Sequence, residues 1–150
     1  MFKKILKPTA LLLIFALGFT SCSKDDDPAP KSKTTLLTQK DWVMTKLEGK
    51  VNNEPYLDIF PSLDACFKDD RYVFKTGNTF EFNEGPTKCD PADPQIYETG
   101  SWAFTNNETK ITIGSDPYSI DQIDENSFII SSSEMTTVDT TVYIKITFGH

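Results

Sequence analysis

Three cysteines, one histidine and 22 acidic residues are the side chains of this 150-residue chain best suited to covalent, metal or acid–base chemistry. The cysteines are Cys22, Cys66 and Cys89. They lack CxxC spacing and have no histidine nearby, which argues against zinc ligation and thiol redox chemistry. The single histidine, His150, is the last residue, where order is least expected. A Ser-His-Asp or Cys-His nucleophile would have to recruit that terminus, so nucleophilic hydrolysis is not expected. Carboxylates are numerous enough for a glycosidase pair, but no spacing singles out two of them. The runs DPADP (90–94) and DQIDEN (121–126) cluster oxygen atoms without the Asp-x-Asp-x-Asp-Gly spacing of a calcium loop. No glycine-rich phosphate loop occurs. The chain therefore reads as a non-enzyme, with no catalytic residue, metal site or cofactor expected.

Cys22 stands in an informative context. Lys3, Lys4 and Lys7 precede the ten-residue apolar run ALLLIFALGF, and small polar Thr20 and Ser21 follow it. A membrane-spanning helix needs about 20 apolar residues, whereas a signal-peptide core needs about 7–15. Residues 1–21 are thus expected to be a signal peptide. The sequence FTSC resembles the lipobox of bacterial lipoproteins, with Phe19 in place of the more usual leucine. That resemblance implies cleavage before Cys22 and a diacylglycerol on its thiol. A bystander cysteine after an ordinary secretory signal is the alternative. Each buried acyl CH2 contributes about 0.8 kcal/mol, and stable anchoring takes more than one chain.

Residues 22–35 hold no aromatic residue and two prolines, Pro28 and Pro30, as expected of an extended linker. Asp25, Asp26 and Asp27 lie just past the cysteine. They resemble the export signal of surface lipoproteins in the Bacteroidota, which implies an outer-membrane, surface-exposed address. Retention on the periplasmic side is the alternative. Without residues 1–21 the chain has 12 basic against 22 acidic side chains, a net charge of -10. Such a surface repels phosphate backbones, so nucleic acid is not an expected partner.

From residue 36 to 150 the pattern becomes that of one all-β domain. Apolar and polar residues alternate between Gly, Pro and Asn breaks, the period-2 signature of half-buried strands. The expected strands cover 41–49, 71–75, 79–83, 97–105, 109–114, 117–123, 127–131 and 137–148, with a short helical turn at 36–40. The last strand places Val138, Val142, Ile144, Ile146 and Phe148 on one side. Mostly short connections imply antiparallel neighbours. Eight such strands in order are expected to close as an up-and-down barrel, with a sandwich as the alternative. Most runs have five to seven residues, short of the 9–11 typical of a transmembrane barrel strand.

The longest connection, 52–70, contains Cys66, and the connection 84–94 contains Cys89. With an oxidising compartment and Cys22 acylated, a Cys66–Cys89 disulfide is the simplest pairing. Trp42, the segment DACFKDDRYVFKTGNTFEFNEGPTKCD, the motif YETGSWAF, and the ITIG and YSIDQI strands together resemble the lipocalin-like domain found in many Bacteroidota lipoproteins. Lys40 stands where true lipocalins carry the glycine of their first Gly-x-Trp. The resemblance implies a barrel and a surface or periplasmic address, but a fold does not fix an activity.

An eight-stranded barrel is just wide enough to be filled by side chains or to hold one small ligand. Trp42, Tyr72, Phe74, Phe82, Trp102, Tyr118 and Phe128 are the candidate ligand-contacting residues, with Tyr56, Ile59, Phe60 and Leu63 of the long connection as a lid. One expectation is a lipid-anchored module for a small apolar or amphipathic molecule. The other is an accessory lipoprotein whose long first loop docks on an envelope protein. A cavity of about 300 Å3 or more favours the first, and a filled core the second.

Overall fold

A computed structural model describes residues 29–150 of the chain. The expected signal peptide, Cys22 and the aspartate cluster lie outside the described residues. The elements are α1 (Lys33–Thr38), β1 (Trp42–Val51), β2 (Leu57–Asp58), a 3-10 turn (Phe60–Ser62), α2 (Ala65–Lys68), β3 (Arg71–Lys75), β4 (Thr79–Asn83), β5 (Ile96–Thr105), β6 (Lys110–Ile113), β7 (Asp116–Ile123), β8 (Phe128–Thr137) and β9 (Thr140–Gly149).

Every strand pairing is antiparallel, and β3 to β9 follow one another in sheet order. Pairing of β1 with β9, from Val43 opposite Gly149 to Val51 opposite Val142, closes the ring. The result is an eight-stranded up-and-down barrel, with β2 as a short flap on β1. The sandwich alternative is thereby excluded. Closure leaves none of the eight strands with a free edge over its full length, which removes the main route to edge-to-edge aggregation.

Closure is thinnest between β1 and β3. Only Trp42–Tyr72 and Val43–Arg71 pair there. Farther along the same edge of β1, Glu48 and Gly49 pair with β2 instead. The long connection fills the seam between them, and the Ile59 amide donates to the Leu47 carbonyl at 2.8 Å.

Two differences from the expected strands have simple causes. The segment 137–148 is not one strand. Thr137 pairs with Thr140 across a hairpin turn at Val138 and Asp139, and β8 runs on to meet it. Val138 is therefore 92% exposed rather than in line with Val142. Alternation alone cannot separate a tight turn of two residues from two more strand positions. The helical turn expected at 36–40 is α1, which starts at Lys33, inside the segment assigned to the linker. Its N-terminus is capped by Ser32, whose hydroxyl accepts from the Thr35 amide at 3.1 Å.

One end of the barrel is solid. Leu37 of α1, Trp42, Phe74, Phe80, Trp102, Ile111 and Phe128 are buried together there. The Trp42 indole N–H donates to the Leu37 carbonyl at 2.9 Å, so the plug satisfies its one polar group. The Trp102 indole donates to the Lys75 carbonyl at 3.2 Å, tying the β3–β4 hairpin to β5. His150, at the terminus where order was least expected, packs on Trp42 with ring centroids 4.1 Å apart and planes tilted by 32°, and its Nδ1 lies 2.8 Å from the Asp41 carbonyl. The described chain enters at this closed end: Lys33 donates to the Glu108 carbonyl at the β5–β6 turn, and Lys31 pairs with Glu125 at the β7–β8 turn.

Candidate binding site in the barrel mouth

At the opposite end the strands diverge and the core gives way to cavities. Inward positions of β3 through β9 continue the period-2 phase of the core. Tyr72, Phe74, Phe82, Glu98, Ile113, Asp116, Tyr118, Ile130, Ile146 and Phe148 line a cup of about 260 Å3. Aromatic packing stiffens its wall. The Tyr72 ring lies edge-on to Phe82 at 4.5 Å and to Phe148 at 4.9 Å.

Tyr72 also forms a wall of a second cavity, of about 380 Å3, over the weak β1–β3 seam. Met44 and Leu47 of β1, Leu63 and Phe67 of the long connection, Asp70, Glu84 and Tyr97 complete it. A third cavity of about 430 Å3 lies between the same connection and the outer ends of β1 and β9, lined by Gly49, Val51, Leu57, Ile59 and Val142 among others. All three lie at the mouth, away from the plugged end.

The Cys66–Cys89 disulfide is present and joins α2 to the β4–β5 connection. It straps the long connection across the mouth at the second cavity, which Phe67 lines immediately after Cys66. Of the expected lid, Ile59 and Leu63 do line mouth cavities. Tyr56 instead lies against the ammonium groups of Lys50 and Lys145, at 5.0 and 4.9 Å, and Phe60 against that of Lys68 at 5.5 Å.

Four of the seven candidate ligand residues, Tyr72, Phe74, Phe82 and Tyr118, meet in the cup. Trp42, Trp102 and Phe128 do not line it. They are buried in the plug, because β1, β5 and β8 carry them to the closed end. The cup alone falls short of about 300 Å3, and the seam cavity exceeds it.

What the aromatic pattern passed over is a set of carboxylates. Asp70, Glu84, Glu98 and Asp116 each stand at the mouth end of a strand, in phase with its inward aromatics. The signal was present: 70, 72 and 74 share one phase, as do 80, 82 and 84, and an acid in phase with a core face is unusual. Asp70 and Glu84 are only 6% and 8% exposed. The Tyr97 hydroxyl donates to Asp70 Oδ2 at 3.3 Å. Burial first, then the negative charge of Glu84, pushes the Asp70 carboxyl above its ordinary range. Burial likewise pushes the Tyr72 phenol up to about 12, with Asp70 adding to it, and raises Tyr97 and Tyr118. These tyrosines are neutral hydrogen-bonding groups at physiological pH.

The arrangement suits binding: a cup of aromatic and aliphatic side chains with Tyr72, Glu98, Asp116 and Tyr118 as its polar groups. The family model of the lipocalin-like domain matches residues 38–147. The chain belongs to the lipocalin-like domain family. The match spans β1 to β9, and with it the plug and the mouth. Members of this family are in general binding proteins without catalysis. No curated protein matches the chain.

Proposed function

We propose that this lipocalin-like chain is a lipid-anchored protein of the cell envelope that takes a small apolar or amphipathic molecule into its barrel mouth. The observation that carries the binding role is the contrast between the two ends. One is packed solid around Trp42 and Phe128, and the other holds adjoining cavities of about 260 and 380 Å3 walled by aromatic and aliphatic side chains. Packed interiors leave few voids larger than a water molecule, so cavities of this size fit a receiving cup better than an incomplete core.

The anchor rests on the sequence around Cys22: basic start, short apolar run, small residues and thiol. Acylation there, with Asp25, Asp26 and Asp27 as an export tag, gives an outer-membrane protein exposed at the cell surface. The described chain enters at the plugged end, opposite the mouth. Cys22→Ala tests this directly. The parent chain is expected to incorporate labelled fatty acid and the variant to incorporate none, and label of equal strength in both, or in neither, would overturn the anchor.

Binding is tested with a neutral fluorescent probe, N-phenyl-1-naphthylamine, added to the Cys22→Ala chain. Saturable blue-shifted emission is expected, lost when Phe82→Trp and Tyr118→Trp fill the cup and Leu47→Trp fills the seam cavity. Native mass spectrometry of the freshly purified protein shows any co-purified molecule. A second reading draws on the exposed Leu57 (69%) and the half-exposed Phe67 of the long connection. If the mouth takes up no probe, that apolar loop is the surface left for docking on an envelope protein.

A further inference from the structure

Among the described residues, Asp70 and Glu84 are the two buried polar or charged side chains, and both line the seam cavity. Each keeps one oxygen, Oδ1 of Asp70 and Oε2 of Glu84, buried and without a hydrogen-bond partner. No Lys, Arg or His lines this cavity or the adjoining cup. None of the ion pairs found among the described residues involves either carboxylate. Glu98 and Asp116 add two more acids in the cup on the far side of Tyr72.

Burying a carboxylate without a countercharge costs several kcal/mol, and a second one beside it costs more. Burial, and then the negative charge of Glu84, disfavours the charged form of Asp70. Two neutral polar residues would have packed the same wall at less cost. A pair of acids under-supplied with hydrogen bonds, facing a cavity otherwise walled by Met44, Leu47, Leu63, Phe67 and Tyr72, makes sense when a cation completes the site. A metal ion is a poor match. No group of three or more metal-ligating side chains is found among the described residues. An organic ammonium supplies both halves: N–H donors for the unpartnered oxygens and an apolar stem for the wall.

Resting on the ligand-binding reading above, we propose that the ligand is an amphipathic amine, with its ammonium held between Asp70 and Glu84 and its apolar body along Met44, Leu47, Leu63 and Phe67. Tyr97, already donating to Asp70, orients that carboxylate.

The test compares three eight-carbon probes on the full chain carrying Cys22→Ala: n-octylammonium, octan-1-ol and octanoate. Titration calorimetry is expected to rank octylammonium at least tenfold tighter than octanol, with octanoate weakest. The double variant Asp70→Asn, Glu84→Gln keeps the shape of the wall. It should bring octylammonium down to the level of octanol while octanol affinity stays within twofold, which also shows that the cavity is intact. Equal affinities for octanol and octylammonium in the parent chain would overturn the amine and leave the binding role standing. So would a preference that survives in the double variant. Absence of binding by all three probes would overturn both.

Discussion

Gly100→Ala is a sharp test of the packing at the base of the mouth. Gly100 lies opposite Phe80 in the β4–β5 pair, on the inward face. A Cβ placed on Gly100 would stand 2.6 Å from Phe80 Cε1 and 2.9 Å from Cζ. Carbon atoms in contact prefer about 3.5–4.0 Å, so the ring must retreat by about 1 Å. It has little room. Phe80 is 1% exposed, with Phe82 at 4.6 Å and Phe74 at 6.5 Å between ring centroids. Forcing an extra methyl into a packed core costs about 1–3 kcal/mol. Replacing a strand glycine returns about 0.5–1 kcal/mol of backbone entropy. A net loss of about 1–2 kcal/mol is expected, read by urea unfolding followed through the buried Trp42 and Trp102, with an unchanged m-value. Combined with Phe80→Leu, which trims the clashing edge, the loss should fall short of additivity by at least about 0.5 kcal/mol. Gly49→Ala is the contrast, because its nearest neighbours are the Ile144 and Ile59 methyls at 3.6 and 3.9 Å. With no clash to offset the entropy term, it should gain about 0.5–1 kcal/mol. A Gly100→Ala chain as stable as the parent, or strict additivity with Phe80→Leu, would refute the close approach.

Three further outcomes are expected. Replacing Cys66 and Cys89 together by serine reopens a loop of sequence separation 23, costing about 3 kcal/mol on the chain-entropy model and about 10 °C in melting temperature; differential scanning calorimetry of parent and variant measures it, and an unchanged midpoint contradicts it. Trp42→Phe leaves the buried Leu37 carbonyl without its 2.9 Å donor, so denaturant unfolding should show a loss of about 1–3 kcal/mol, detaching α1 first in hydrogen exchange. For Asp70, the folded-state pKa lies above the ordinary 3.8, so the folded form holds its proton more tightly and stability falls as pH rises from about 4 through the folded value. Asp70→Asn should flatten that decline and be the more stable protein at pH 7, Glu84 and the Tyr97 hydroxyl being the groups that face it along with neighbouring Asp69. Parallel pH–stability curves for the two proteins would remove the basis for a buried charge at this site.

Local alternation was enough to say which side chains point inward. The strand period of two is a property of each backbone segment, so Tyr72 with Phe74, Phe80 with Phe82 and Ile144 with Ile146 could be assigned to one face before any partner was known. Short connections likewise ordered β3 to β9, because hairpins force neighbours to pair. Turns built from ordinary residues escaped notice, as at Val138 and Asp139, and so did β2, whose two residues are too few to alternate. Tertiary structure decided what depends on residues far apart. Closure joins β1 to β9 across about a hundred residues, and the curvature it imposes separates the plug from the mouth. Which inward aromatics fill and which line a cup follows from that axial position, so Trp42, Trp102 and Phe128 went one way and Tyr72, Phe82 and Tyr118 the other. The pairing of Asp70 with Glu84 has the same origin. The sequence shows each acid in phase with a core face, and only the β3–β4 register and the strapped loop over them bring the two into one buried wall without a cationic partner.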